Sequence, residues 1–368
     1  MAARRGMVEL DGSMLEGGGQ ILRNATAFAH VLGQAVHITN IRAGRDRPGL
    51  RPQHLKGISL VAEMCQGRLK GDRVQSKEIE LHPGERIGGA FTADTQTAGS
   101  TCLILQAALP CALFSPCDTV LTLRGGTNAQ MAPQVDYHTM VFEPALSRFG
   151  VSSVNITVQR RGFFPRGGGC VLAQCAPVKQ LNAIQLVDRG EVKRVYGRSF
   201  SAGKLPRKVA EAMTEAAAAI VRSKLGAEVP IEIDTVHEPP RSATGTGAGI
   251  IVIAETTTGC LLAGSAVLNQ RQRGEHAAKI AADMLLENLD HGGCVDEYLM
   301  DQLIIYMALA KGKSTVRCGP PSLHTKTAIW VAEQLTGVKF NVRQVDKDND
   351  KLFEIEVEGM GHTNVTEA

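Results

Sequence analysis

Glu16-Gly17-Gly18-Gly19-Gln20-Ile21-Leu22, near the start of the chain, is answered much later by Arg166-Gly167-Gly168-Gly169-Cys170-Val171-Leu172. Three consecutive glycines leave a backbone without side chains, open to positive φ and able to approach a strand or an anion closely. The second triplet sits in the most distinctive run of the chain, Arg161-Gly162-Phe163-Phe164-Pro165-Arg166-Gly167-Gly168-Gly169-Cys170-Val171. A tight turn into a strand and a direct ligand contact both fit that run. The echo points to a repeated unit.

Outward from the first triplet, short β-branched runs alternate with Ala/Leu-rich stretches. Met7–Asp11 reads as a strand, Gln20–Leu32 as a helix and Val36–Arg42 as a strand. In Gln53–Met64 the apolar residues Leu55, Ile58, Leu60, Val61 and Met64 fall at helical spacing. Ser100–Leu109 predicts an apolar helix, and Thr119–Arg124 a strand closing on Gly125-Gly126. Strand–helix–strand units with glycines at their junctions predict an α/β (α+β) fold.

The texture changes around Asn182–Arg189. Val192–Ser199, Pro230–Val236, Gly249–Glu255 and Cys260–Val267 read as strands, and Leu205–Leu225 and Glu275–Leu289 as amphipathic helices. This predicts a smaller α/β domain over 184–289, inserted into a larger one formed by 1–183 and 290–368. The last segment predicts helices at Glu297–Ala310 and Thr325–Leu335, then strands near Lys339–Val345 and Leu352–Val357.

Of 368 residues, 43% are apolar and 21% charged, the balance of an ordinary globular protein. A net charge of +3 excludes a polyelectrolyte-style nucleic-acid binder but leaves room for a local basic cleft. With only 4% aromatic residues, few stacking platforms exist for bases. Nine cysteines without a Cys-x-x-Cys pair indicate free thiols in a reducing compartment rather than a disulfide framework or a zinc site. No run suits a membrane span, and Met1-Ala2-Ala3-Arg4-Arg5 meets Glu9 and Asp11 rather than an apolar signal core. The expected location is nuclear or cytosolic, not secreted, with no membrane partner.

Familiar nucleotide and metal signals fail. Lys311-Gly312-Lys313-Ser314 has the second half of a phosphate loop, but Met307 stands where its first glycine belongs. Gly245-x-Gly247-x-Gly249 lacks dinucleotide spacing and reads as a mobile loop before a strand. Asp346-x-Asp348-x-Asp350 starts like a calcium loop, but Lys351 replaces the required glycine, leaving a charged hairpin turn.

The run Arg161–Val171 nevertheless resembles the signature of the RNA 3′-terminal phosphate cyclase family. So do Leu10-Asp11-Gly12 with Glu16–Arg23, Ile41–Arg45 with Pro48-Gly49-Leu50 and Gln53-His54-Leu55, and Ala98-Gly99-Ser100 with Gln106. Gly125-Gly126-Thr127, Glu297-Tyr298-Leu299-x-Asp301-Gln302-Leu303 and Ser322-x-His324 complete a set running in order through the larger domain.

The resemblance implies three repeated βαβ-type units, each a sheet with two helices, and a smaller domain inserted before the last unit. It implies an ATP-dependent, ligase-type enzyme that converts an RNA 3′-terminal phosphate to a 2′,3′-cyclic phosphodiester. The intermediates would be enzyme–histidinyl-AMP and RNA-(3′)pp(5′)A. In isolation His324 reads as a cap or surface residue at a loop-to-helix junction; the resemblance makes it the nucleophile. A neutral imidazole has a usable lone pair near pH 7. By the same resemblance Gln106, Pro133, Tyr298, Asp301 and Gln302 hold ATP, and Glu16 binds a divalent metal, Mg²⁺ or Mn²⁺. Arg23, Arg42, Arg45, Gln53 and His54 line the phosphate path, in which guanidinium groups suit phosphate oxygens. Thr325-Lys326 departs from the apolar residues that follow the histidine in many relatives. RNA with a 3′-phosphate end and ATP are the expected partners; no protein partner is indicated. The alternatives are a non-catalytic, cyclase-like ribosome-assembly protein and an enolpyruvyl transferase of similar architecture.

Overall fold

In the computed structural model, residues 6–268, 272–346 and 349–364 are described. The N-terminal Met1–Arg5 and Asp348 of the expected hairpin turn lie outside the described residues.

One strand pattern forms three times. In the first unit β1 (Val8–Asp11) and β2 (Val36–Thr39) pair in parallel across helix α1 (Gly19–Leu32). Helix α2 (Pro52–Glu63) follows, then β3 (Arg68–Lys70) and β4 (Ile79–His82) close an antiparallel edge in the order β1-β2-β4-β3. The second unit runs β5 (Gly89–Asp94), α3 (Thr101–Leu113) and β6 (Thr119–Gly125). Its second helix is a broken segment of α4 (Val135–Tyr137), a π-helical stretch over His138–Phe142, and α5 (Glu143–Leu146). Then come β7 (Val154–Gly162) and β8 (Gly169–Cys175), giving the same order, β5-β6-β8-β7.

The third unit opens with β9 (Gln185–Leu186), and the chain then leaves it. It builds β10 (Val192–Ala202), α6 (Arg207–Leu225), β11 (Ile231–Glu238), β12 (Ala243–Thr244), β13 (Gly247–Thr256), β14 (Leu261–Val267) and α7 (Gly274–Asp290). Strands β11-β10-β13-β14 form a fourth sheet on which α6 and α7 pack. The third unit resumes with α8 (Glu297–Leu309), β15 (Lys311–Cys318), α9 (Leu323–Thr336), β16 (Phe340–Gln344) and β17 (Phe353–Met360). Its order, β9-β15-β17-β16, repeats the other two. Strand β9 is parallel to β15, so the first strand of this unit precedes the inserted elements in the chain.

Helices α3 and α8 are apolar on nearly every side and buried accordingly. They pack with α1, α2 and α9 as the common centre of the three units. Among the described residues no helix is long and apolar enough to cross a membrane. All nine thiols are free.

The two glycine triplets are not equivalent positions of the repeat. Gly19 opens helix α1, whereas Gly169 opens strand β8. A Cβ on Gly167 would lie 2.0 Å from the Thr97 carbonyl oxygen, and Gly167 and Gly168 have φ of +64° and +69°. The second triplet is therefore a tight turn into a strand. Arg161 beside it is a structural tie: its buried guanidinium donates to both Asp136 carboxylate oxygens at 2.7 Å and to Glu238 at 2.6 Å, over the Phe200 ring. Strand β12 pairs with β7 at this point, joining the inserted elements to the second sheet. Gly245 lies in a bend before β13, at φ +87°, but Gly247 and Gly249 of the expected mobile loop are already in that strand, where a Cβ on Gly247 would meet the Phe163 ring at 2.2 Å.

Candidate active site

Gly17, Gly18 and Gly19 each make room for something different. Gly17 turns the chain at φ +58°, and a Cβ on Gly18 would stand 2.1 Å from a Glu16 carboxylate oxygen. On Gly19 it would lie 2.9 Å from Arg23 Nη1 and from His54 Nε2. The loop between β1 and α1 thus folds Glu16 back over the helix start, with Arg23 of α1 and His54 of α2 close to the start of the helix.

These side chains line a cleft of about 370 Å³ to which all three units contribute. The first unit supplies Glu16, Arg23, Arg42, Arg45 and His54; the second supplies Gln106 from α3 and Pro133 from the loop after β6. Tyr298 and Asp301 of α8 and His324 of α9 come from the third. Two expected residues stand outside the lining. Gln53 Oε1 accepts the Ser100 N–H at 2.6 Å, at the start of α3. Gln302 is buried, donates to the Tyr298 carbonyl at 2.6 Å, and its Oε1 has no partner among the described residues.

Helix α9 starts at Leu323, capped by Ser322, whose hydroxyl accepts the Thr325 N–H at 3.1 Å. His324 therefore lies in the first helical turn rather than ahead of it, and it is exposed. The unpaired N–H groups and dipole of that turn favour an anion beside it.

Charge is arranged unevenly across the cleft. Arg45 donates to one Glu16 carboxylate oxygen and, at 2.9 Å, to the Glu16 carbonyl. The other carboxylate oxygen, Oε2, is buried without a partner among the described residues, a free hard oxygen of the kind a divalent cation takes. Burial pushes the Arg23 guanidinium down, opposed by Asp301 and Glu16. Burial pushes His54 down to about 3, and Arg23, Arg42 and Arg51 add to it, so its imidazole is neutral. Its Nδ1 accepts the Arg51 N–H at 3.3 Å. Asp301 is pushed up to about 8 by burial, against Arg23 and with Asp296 and Glu297, so it holds its proton at neutral pH. Burial also raises Glu297, which His324 opposes.

Two features escaped the sequence reading. Met131 lines the cleft fully exposed, at 99%, with a left-handed backbone (φ +61°), and no sequence signal marks it. Buried Asp296 caps α8 and accepts from the Leu299 N–H, the Tyr137 hydroxyl at 2.6 Å and the Ala263 N–H of β14 at 2.8 Å. The Tyr137 ring in turn meets Tyr298 edge-on at 5.9 Å. An acid directly before a helix start was a legible cap signal there.

A basic wall, an exposed imidazole at a helix N-terminus and a protonated carboxyl beside Tyr298 and Pro133 suit a ligand with a polyphosphate at one end and a flat base at the other. Comparison with known proteins identifies the family. The sequence model of the family described as RNA 3′-terminal phosphate cyclase matches residues 14–342. The RNA 3′-terminal phosphate cyclase of Drosophila melanogaster is 40% identical over 358 residues, covering 97% of this chain and 98% of the relative. Those of Pyrobaculum aerophilum and Hyperthermus butylicus are 37% and 40% identical, each across 96% of this chain and 99% and 98% of their own.

Proposed function

We propose that this chain, which belongs to the RNA 3′-terminal phosphate cyclase family, uses ATP to convert an RNA 3′-phosphate to a 2′,3′-cyclic phosphodiester through a covalent His324–AMP. The observation that carries this reading is the single cleft in which His324 meets the basic first-unit wall and the Tyr298–Asp301 face.

In the first step an imidazole nitrogen of His324 attacks the α-phosphorus of ATP. An N–P bond forms, the bond from that phosphorus to the bridging oxygen breaks, and pyrophosphate leaves. An oxygen of the RNA 3′-phosphate then displaces the imidazole and takes the AMP, giving RNA-(3′)pp(5′)A. Finally the 2′-hydroxyl attacks the activated RNA phosphorus, its proton passing to water, and AMP departs. This closure is intramolecular, and its fixed geometry supplies much of the rate.

Arg23, Arg42 and Arg45 would neutralise and orient phosphate oxygens. The adenine would lie between Tyr298 and Pro133, and the protonated Asp301 carboxyl offers a donor and an acceptor to a base edge or ribose. Gln53 and Gln302 would act from behind, through the start of α3 and the backbone of α8. A divalent cation, Mg²⁺ or Mn²⁺, on Glu16 would supply positive charge to the phosphates. The larger domain, which keeps β9 and so extends to Leu186 before resuming at 290, would carry the chemistry, with the inserted elements abutting it, in the nucleus or cytosol.

The test is incubation with α-labelled ATP, metal and a 3′-phosphorylated oligoribonucleotide. A labelled protein band and cyclic ends are expected from the wild type and neither from His324→Ala. Cyclic ends from the alanine variant would exclude the covalent mechanism, and an unlabelled wild type would favour the non-catalytic alternative.

A further inference from the structure

A second cavity, of about 200 Å³, lies behind one wall of the cleft, between the end of α7, the start of α8 and the loop before α9. Neighbouring residues of the same helices face its two sides. On α8, Glu297 lines the cavity and Tyr298 the cleft; on α9, Ser322 and Thr325 line the cavity while Leu323 and His324 line the cleft.

Two buried polar side chains of this cavity are each half satisfied. Asn288, 7% exposed, donates to the Ala263 and Met284 carbonyls at 3.2 and 2.9 Å, which leaves its Oδ1 an acceptor without a partner among the described residues. His291, 6% exposed, accepts the Gly293 N–H on Nδ1 at 2.9 Å, which leaves an Nε2–H donor equally unpartnered among them. Burial pushes His291 down to about 4, so the ring is neutral and keeps that pairing at pH 7. The chain makes room for the ring, because a Cβ on Gly319 would lie 2.6 Å from it.

The remaining surroundings narrow the ligand. Met284, Met300 and Pro321 supply apolar surface, while Glu287 and Glu297 disfavour a phosphate. Among the described residues no three His, Cys, Asp or Glu side chains converge to hold a metal ion. The volume is below the roughly 300–1,000 Å³ of cavities that enclose whole ligands. A single flat, neutral ring carrying both a donor and an acceptor fits, which describes a nucleobase.

We propose that this cavity takes a nucleobase from the last two nucleotides of the RNA 3′ end, held by Asn288 and His291 while the terminal phosphate rounds the shared wall to His324. The inference rests on the cyclase reading. It gives the enzyme a way to hold an RNA end with few aromatic residues.

The probe is a labelled, 3′-phosphorylated oligoribonucleotide, intact or abasic at its last two positions, with binding to the full chain read by fluorescence anisotropy. Loss of one base contact should weaken Kd by about tenfold, the scale of a lost base contact. The wild type should bind the abasic strand about tenfold more weakly. Met284→Trp, which fills the cavity, should weaken the intact strand to that level and leave the abasic strand unchanged. His291→Ala, which removes the donor without adding bulk, should act in the same direction if the tryptophan variant does not fold.

Equal wild-type affinity for the two strands would overturn the proposal. So would a Met284→Trp protein that forms protein–AMP only at raised ATP, since the cavity would then serve the free nucleotide. Failure of the wild type to form protein–AMP would sink the cyclase chemistry instead, and the binding comparison would still judge the cavity.

Discussion

Asp301→Asn should stabilise the nucleotide-free protein in a pH-dependent way. Burial raises the Asp301 carboxyl from an ordinary 3.8 to about 8. Below the lower value both folded and unfolded chains hold the proton, and ionisation costs nothing. As pH climbs towards 8, the unfolded chain releases a proton that the folded chain must keep, so stability falls by about 1.4 kcal/mol per pH unit. Above the folded value the full cost is present. From pH 5.5 to 8 this amounts to at most about 3.5 kcal/mol; water in the cleft lowers it to roughly 2 kcal/mol. Asparagine has no proton to release. At about 2–4 °C per kcal/mol, the melting temperature of Asp301→Asn relative to wild type should rise by roughly 4–8 °C between pH 5.5 and 8.5. Calorimetry at the two pH values reads this directly. Melting curves displaced equally at both would show that Asp301 is an ordinary solvated carboxylate, and its assignment as a protonated base-edge contact would go with it.

Asp136→Ala leaves the buried Arg161 guanidinium with Glu238 and the neutral Asn128 amide as partners; urea unfolding should show a loss of about 3–5 kcal/mol, the usual cost of breaking a buried pair from one side. Gly18→Ala places a methyl where the Glu16 carboxylate lies; protein–AMP formation should fall by roughly 10²-fold while thermal stability changes little, and a normal adenylation rate would release Glu16 from any role.

Most of the residues that line the cleft were legible because their motifs are local, such as the triplet after Glu16 or the Tyr298–Gln302 stretch, and a family signature needs only order along the chain. Gln53 and Gln302 illustrate where this stops. Their positions in sequence are right beside the cleft, but whether an amide faces a ligand or a backbone group is decided by packing against Ser100 and Tyr298. Strong helical periodicity placed α2, α6 and α7 to within a residue or two, whereas the short strands β3 and β4 carry too few residues to show a period. The glycine triplets misled in a physical way. Glycine reports that something comes close, not what: at Gly18 it is a carboxylate, at Gly167 a carbonyl. The real repeat is in strand order, which no pair of short motifs records.

That repeat explains why the cleft draws on residues so far apart in the chain. Each unit sends helices to a common centre, and their ends meet there: α1 brings Arg23, the loop before α2 brings Arg42 and Arg45, α2 brings the neutral His54, α3 brings Gln106, and α8 and α9 bring Asp301 and His324. A site built this way needs the third unit held against the first two, yet the chain interrupts that unit between β9 and α8. Asp296 answers the problem. At the point where the chain re-enters, its carboxylate takes donors from α8 itself, from Tyr137 of the second unit and from Ala263 of the inserted sheet. Three separate elements therefore fix the start of the helix that carries Tyr298 and Asp301. The inserted elements set one wall of the cleft without contributing a side chain to its lining.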